Sequence, residues 1–309
     1  MKLTQLGEFG LIERLAKHEP KLPGTIVGIG DDCAVLQLQT SNLKLPNKNK
    51  KDKYQLITTD ALVEGVHFQR KGLSFFALGQ KALAANISDI AAMGGWPTHA
   101  LVTVGLPPTM NVKAVDDLYR GLNSLARKNR IDIVGGDTVA SPKALVISIT
   151  LLGEVEKNKL ILRSTAKVGD LICVTGKFGG PASKGYSIRR PVPGTRYREA
   201  GAIAKAKLAT SMIDSSDGLV RSVLEICKAS KVGARIFTAQ VPIAPGATLD
   251  QALYGGEEYE LVFTVKPKTK KLQYKVVGEI VGRRAGVKLV DRRGKIKEPR
   301  SGGYEHFGQ

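Results

Sequence analysis

The sequence predicts a two-domain α/β protein, and three observations carry that prediction. At 309 residues the chain is long enough for two domains of ordinary size, each with its own core. Its composition is 42% hydrophobic and 24% charged, with 34 glycines and no low-complexity block, as in a soluble mixed fold. Acidic residues recur where an apolar run meets glycine or a small polar residue, the place where α/β proteins put ligands at the carboxyl ends of strands.

The elements follow in order. MKLTQLGEFGLIERLAKHE lacks the uninterrupted apolar core of a signal peptide and reads as a short amphipathic helix. VGIGDD (27–32) brings Asp31 and Asp32, which serve either as turn residues after the glycines or as ligands. VLQLQT and YQLITT read as strands flanking KLPNKNKKDK (44–53), a solvated hairpin loop with five Lys and one Asp. LITTDALVEGVHF (56–68) supplies Thr58, Thr59, Asp60 and His67, the last with equal claims as a satisfied core histidine and as a functional one.

KALAANISDIAAM has the period of a helix, with Leu83, Ile87 and Ile90 at i, i+4 and i+7 forming a core-facing stripe. Asn86 and Asp89 are i, i+3 neighbours on another face, among alanines and glycines. No Lys or Arg lies three or four residues from Asp89, so a carboxylate buried there needs another partner; unpaired, it costs several kcal/mol. DIVGGDT (132–138) adds Gly136, Asp137 and Thr138. The apolar strand ALVISITLLG ends at Gly153 and sets the expected boundary, giving domains 1–153 and 154–309.

In the second half, GKFGGPASKG (176–185) reads as a loop between a strand and a helix and does not match the P-loop pattern. MIDSSDG (212–218) puts Asp214 and Asp217 three residues apart with only serines between. Asp217 is placed to cap a helix through LVRSVLEICKA; the alternative is that both acids hold something positive. YGGEEYELVF (254–263) contributes Glu257 and Glu258, and residues 266–300 read as short strands protected at their edges by 13 Lys and Arg against three acids.

Several function classes are excluded by the same inventory. No stretch approaches the ~18 apolar residues of a membrane span. Cys33, Cys173 and Cys227 are widely separated with no CxxC, which argues against a disulfide scaffold or a zinc site and points to a reducing cytoplasm. The formal charge of +19 invites a nucleic-acid reading, yet 14 of those charges lie in the two basic segments just described, which hold a single aromatic between them, Tyr274.

Six acidic motifs suggest convergence on one site. Carboxylates brought together repel and take up protons unless cations neutralise them. Oxygen ligands without a His or Cys cluster favour Mg²⁺, which keeps waters and bridges substrate phosphates. Thr58, Thr59, Thr138 and Ser216 are suitable secondary ligands.

GIGDDCA, TTDALVEGVHF, KALAANISDIAAMGG, GGDT, IDSSDGL and GGEEYELVFT, in this order, closely resemble the thiamine-monophosphate kinase family. The resemblance runs from GEFGLIERL to GGYEHF (302–307), and GVHF and GGEEYEL favour this family over others sharing the fold of aminoimidazole-ribonucleotide synthetase. It implies an N-terminal sheet-plus-helices domain that forms a barrel with its copy in a homodimer, and a C-terminal α/β domain completing the site. It further implies transfer of the γ-phosphoryl of ATP to thiamine monophosphate with several Mg²⁺ ions. By this resemblance Asp32, Thr58, Thr59, Asp60, Asp89, Asp137, Asp214 and Asp217 are metal-binding positions. Gly136, Asp137, Arg163 and Ser216 contact ATP, and His67, Glu257 and Tyr304 surround the thiamine substrate. Glu258 stands where the family usually has Asp. The rival readings are a selenophosphate- or aminoimidazole-ribonucleotide-synthetase-like enzyme on the same fold, and a polyanion- or RNA-binding protein.

Because the acceptor is a phosphate monoester with a second pKa near ~6, its attacking oxygen is already largely anionic at neutral pH. The sequence reading therefore expects no general base; positioning and charge neutralisation carry the reaction.

Overall fold

The computed structural model describes residues 3–16, 23–37, 52–186, 195–269, 272–300, 303 and 306. The chain divides into two compact units. One comprises residues 32–160 together with 185–206, and the other comprises 1–31, 161–184 and 207–309. Most of the basic loop at 44–53 lies outside the described residues.

In chain order the N-terminal elements are α1 (Leu3–Ala16), β1 (Thr25–Val27), β2 (Ala34–Leu36), β3 (Lys53–Val63) and α2 (Phe75–Ala92). They continue with β4 (Trp96–Leu106), α3 (Val112–Asn129), β5 (Asp132–Ala140) and β6 (Val146–Glu156). The remainder is β7 (Leu171–Val174), α4 (Gly180–Ser183), α5 (Tyr197–Lys205), β8 (Ala209–Asp214), α6 (Leu219–Ser230), β9 (Gly233–Phe237), α7 (Leu249–Tyr254), β10 (Leu261–Val265), β11 (Lys275–Val281), β12 (Val287–Val290) and β13 (Ile296–Lys297). The expected N-terminal helix is present, bent at Gly7, whose φ of 71° interrupts α1.

In the first unit the strands lie in the order β2-β3-β6-β4-β5, with β4 and β5 parallel and joined through α3. β6 alternates strictly, burying Ile147, Ile149, Leu151 and Val155 under the helices. α2 buries Leu83, Ile87 and Ile90 completely, as its period predicts. Its other faces are buried too, because α3 and α5 also pack on it. Two glycines permit that approach: a Cβ at Gly79 would lie 2.1 Å from the Leu118 carbonyl oxygen, and one at Gly121 would lie 1.9 Å from that of Phe76. The sheet face away from the helices leaves Leu101, Val134 and Val139 exposed on β4 and β5.

The second unit holds a seven-stranded sheet ordered β13-β12-β9-β11-β7-β10-β8. α6 covers its core, burying Leu219, Val220, Val223 and Ile226 against Ile213, Val262 and Ile236. Cys33, Cys173 and Cys227 are free and buried, and burial pushes the Cys173 and Cys227 thiols up to about 12. Among the described residues no helix is long and apolar enough to cross a membrane.

Candidate active site

In the first unit the acids gather where β3 passes α2. Thr58 points inward from β3 and donates a 2.6 Å hydrogen bond from its hydroxyl to Asp89 Oδ2. This is one partner that the sequence left open for Asp89. One turn earlier on α2, Asn86 is fully buried; its Oδ1 accepts the Asp60 backbone N–H at 3.1 Å and its amide donates to the Ala82 carbonyl. The i, i+3 pair thus clamps β3 in register with the helix. Asp32, 7% exposed, brings a carboxylate oxygen within 4.8 Å of one from Asp89. Two carboxylates this close, with a hydroxyl alongside and no imidazole or thiol ligand among the described residues, form a hard oxygen donor set that fits Mg²⁺.

Strand pleat separates the two threonines. Thr59 faces the opposite side of β3, is exposed, and donates its hydroxyl to the Ile149 carbonyl at 3.1 Å. Asp137 lies on the edge strand β5, paired with Thr103, and its Oδ1 accepts the Thr138 N–H at 2.8 Å. Gly136 beside it has φ 153°, and a Cβ there would sit 1.8 Å from the Val102 carbonyl oxygen, so only glycine fits. His67 Nδ1 accepts the Val63 N–H at 3.0 Å, which leaves Nε2 to carry the proton of the neutral ring.

In the second unit two loops interlock. Ser215 N–H donates to the Glu260 carbonyl, Tyr259 N–H to the Ser215 carbonyl, and Glu257 N–H to the Ser216 carbonyl at 2.6 Å. The contact is too close for side chains: a Cβ at Gly256 would lie 2.4 Å from the Ser216 carbonyl oxygen, and one at Gly218 would lie 2.3 Å from that of Gly255. Glu257 and Tyr259 accordingly adopt positive φ, 65° and 51°. Asp214 ends β8 and is 4% exposed. Ser215 is fully buried, and its hydroxyl has no partner among the described residues.

Asp217 is not the helix cap its position suggests; Gly218 occupies the N-cap of α6, and among the described residues no side chain caps that end. Burial pushes the Asp217 carboxyl above its ordinary value and the Glu8 charge adds to this, while Ser216, Arg221 and His306 pull it back. Glu258 accepts the Gly179 N–H at 2.8 Å on one oxygen, and its other oxygen is buried without a partner among the described residues. Burial raises its carboxyl to about 7; the Gly179 N–H opposes this, and the Glu257 and Glu260 charges add to it. Glu260 takes a 2.6 Å bond from the Thr175 hydroxyl.

Arg163 meets Asp31, which accepts its backbone N–H at 3.1 Å and faces its guanidinium at 3.7 Å. Tyr304 lies outside the described residues, but Gly303 packs on the Asp217 carbonyl so closely that a Cβ would fall 2.0 Å from it. Glu8, Ser215, Glu260 and His306 lie within the quoted segments without standing out there, and only tertiary contact reveals their part.

The family model of the AIR synthase related protein, N-terminal domain, matches residues 30–155, and that of the C-terminal domain matches 167–290. Over 287 residues the chain is 34% identical to the thiamine-monophosphate kinase of Bacillus subtilis (strain 168), covering 84% of each. The chain belongs to the thiamine-monophosphate kinase family. The family member from Synechococcus elongatus is 32% identical over 302 residues, covering 90% of this chain and 87% of its own. Among solved structures, AaThiL complexed with AMPPCP and TMP superimposes with a TM-score of 0.79 at 30% identity over 99% of both chains. A hydrogenase maturation protein HypE in complex with ATP shares the fold at 16% identity, with a TM-score of 0.66 over 79% of this chain and 83% of its own. The thiamine-monophosphate kinase family is therefore the one to which the six sequence motifs pointed.

Proposed function

We propose that the protein phosphorylates thiamine monophosphate at the expense of ATP, forming thiamine diphosphate and ADP. The observation that carries this is the full-length likeness to AaThiL complexed with AMPPCP and TMP, 30% identical over 99% of both chains. The acceptor phosphate supplies its own nucleophilic oxygen, since its second ionisation lies near ~6. The chain's task is then to bind two polyanions, orient the acceptor oxygen in line with the γ-phosphorus, and keep water from competing.

Asp32, Thr58, Thr59, Asp60, Asp89, Asp137, Asp214 and Asp217 are the Mg²⁺ ligands in this reading. It is supported by the close approach of buried Asp32 to half-buried Asp89 and by the Thr58 bond. Bound Mg²⁺ would neutralise phosphate charge as it accumulates in transfer. Gly136, Asp137, Arg163 and Ser216 bind ATP, while His67, Glu257 and Tyr304 bind the thiamine moiety; the fixed tautomer of His67 supports a directed Nε2 donor. Thr59 faces the side of β3 away from Thr58 and, by the strand register through Thr150, Leu101 and Thr103, shares that face of the sheet with Asp137. The division at 153/154, with nucleotide binding and dimerisation in 1–153, belongs to the same reading, as does a cytoplasmic location. The exposed Leu101, Val134 and Val139 on neighbouring strands support a homodimer through that sheet.

Incubation with thiamine monophosphate and Mg·ATP tests the proposal. Thiamine diphosphate is expected in step with ADP, and ADP release without thiamine diphosphate would refute it.

A further inference from the structure

The first unit contains a cavity of about 410 Å³ that shares no residue with the acids described above. Its walls come from the ends of α2 and α3, the turn after β6, and the start of α5. Four cations line it, Lys128, Arg130, Lys159 and Arg198, and no acid does. Lys159 is paired with Glu156 at 2.9 Å. Lys128, Arg130 and Arg198 have no ion pair or side-chain hydrogen bond among the described residues.

Helix dipoles account for only part of this. Lys128 in the last turn of α3 and Arg130 at its C-cap lie where a dipole favours cations. Arg198 does not: it occupies the first turn of α5, the positive end, where a cation is disfavoured. That end also has no side-chain cap, and the first-turn Glu199 is taken by Arg196 at 3.2 Å. An unopposed arginine, uncapped first-turn amides and two further unpaired cations around one cavity define a place for a multiply charged anion. Tyr197 and Trp96 add aromatic walls, and the volume falls in the range of small-ligand sites.

We propose that this cavity is a second anion site, which takes a phosphate-bearing small molecule and is separate from the candidate active site. Trp96 opens β4, whereas the strand partner of Asp137 is Thr103, seven residues further on and roughly 23 Å along the strand at about 3.3 Å per residue. A ligand held by Arg198 and Lys128 would bridge α5 to α3, two elements that both pack on α2, the helix carrying Asp89. The site is therefore placed to couple the binding of a phosphorylated effector to the metal-binding helix.

Calorimetric titration of the full chain with inorganic pyrophosphate in EDTA tests the assignment. The wild-type protein is expected to bind pyrophosphate, and the Lys128→Ala/Arg198→Ala variant to bind it at least about tenfold more weakly. The KM values for ATP and thiamine monophosphate should be unchanged in that variant. Parallel titration with ADP identifies the source of the phosphate. An equal loss for ADP marks a nucleotide site, and a loss confined to pyrophosphate marks a site that reads the phosphate groups alone. No binding by the wild type, or the same affinity in the double variant, would overturn the proposal.

Discussion

Asp89→Asn should push stability and activity in opposite directions. Asp89 and Asp32 hold carboxylate oxygens within 4.8 Å of one another. At an effective permittivity of about 20, two unit charges at that separation repel by about 3 kcal/mol. Asp89 is partly exposed, so solvent screening reduces this to roughly 1–2 kcal/mol. Asparagine keeps an oxygen to accept the Thr58 hydroxyl, and the weakening of that bond costs about 0.5–1 kcal/mol.

The balance for the metal-free protein is a gain of up to about 1 kcal/mol, or roughly 2–4 °C in Tm. With millimolar Mg²⁺ the order should reverse, because wild type gains stability from a bound cation and the variant loses a ligand. Turnover to thiamine diphosphate should fall by a factor of about 100 or more. Thermal unfolding in EDTA and in Mg²⁺, beside a product assay, reads all three quantities. A variant that unfolds earlier in EDTA, gains as much from Mg²⁺ as wild type and turns over normally would refute the reasoning.

Three further outcomes follow from the site. The Glu258 carboxyl is raised to about 7, so between its ordinary value of 4.5 and about 7 the folded protein holds a proton that the unfolded chain releases. Stability should therefore fall as pH rises through that window and stay level above it. Glu258→Gln should remove the slope and add roughly 2–3 kcal/mol at pH 8, as measured by urea unfolding at pH 5 and pH 8. Gly136→Ala forces a Cβ against the Val102 carbonyl and should cost about 2–4 kcal/mol, lifting β5 from β4 and abolishing activity; chemical denaturation beside the product assay checks it. Glu257→Gln should raise the KM for thiamine monophosphate more than that for ATP, and an equal rise in both would assign Glu257 to the metal instead.

The helices and most strands were legible because their signals are local. The Leu83, Ile87 and Ile90 stripe needs only the 3.6-residue period, and β6 buries alternate residues as a half-covered strand must. The acids stood out because the chain has only 28 of them and puts several at the ends of apolar runs. Asp217 was harder to read, since an aspartate before a helix has the same local appearance whether it caps or binds. The cap fell to Gly218, with φ 101°, because the chain there must pass against the Gly255 carbonyl.

From the sequence alone came the α/β class and the family, since composition, period and motif order are properties of neighbours along the chain. Tertiary structure alone decided which of Thr58 and Thr59 meets Asp89, how Glu258 reaches Gly179, and that α5 joins the first unit beside α2. The reason is physical: pleat register and the main-chain bonds that zip 215–216 to 257–260 join residues some 40 positions apart through backbone groups that every residue carries. Such contacts leave no mark in side-chain identity except the glycines that make room for them.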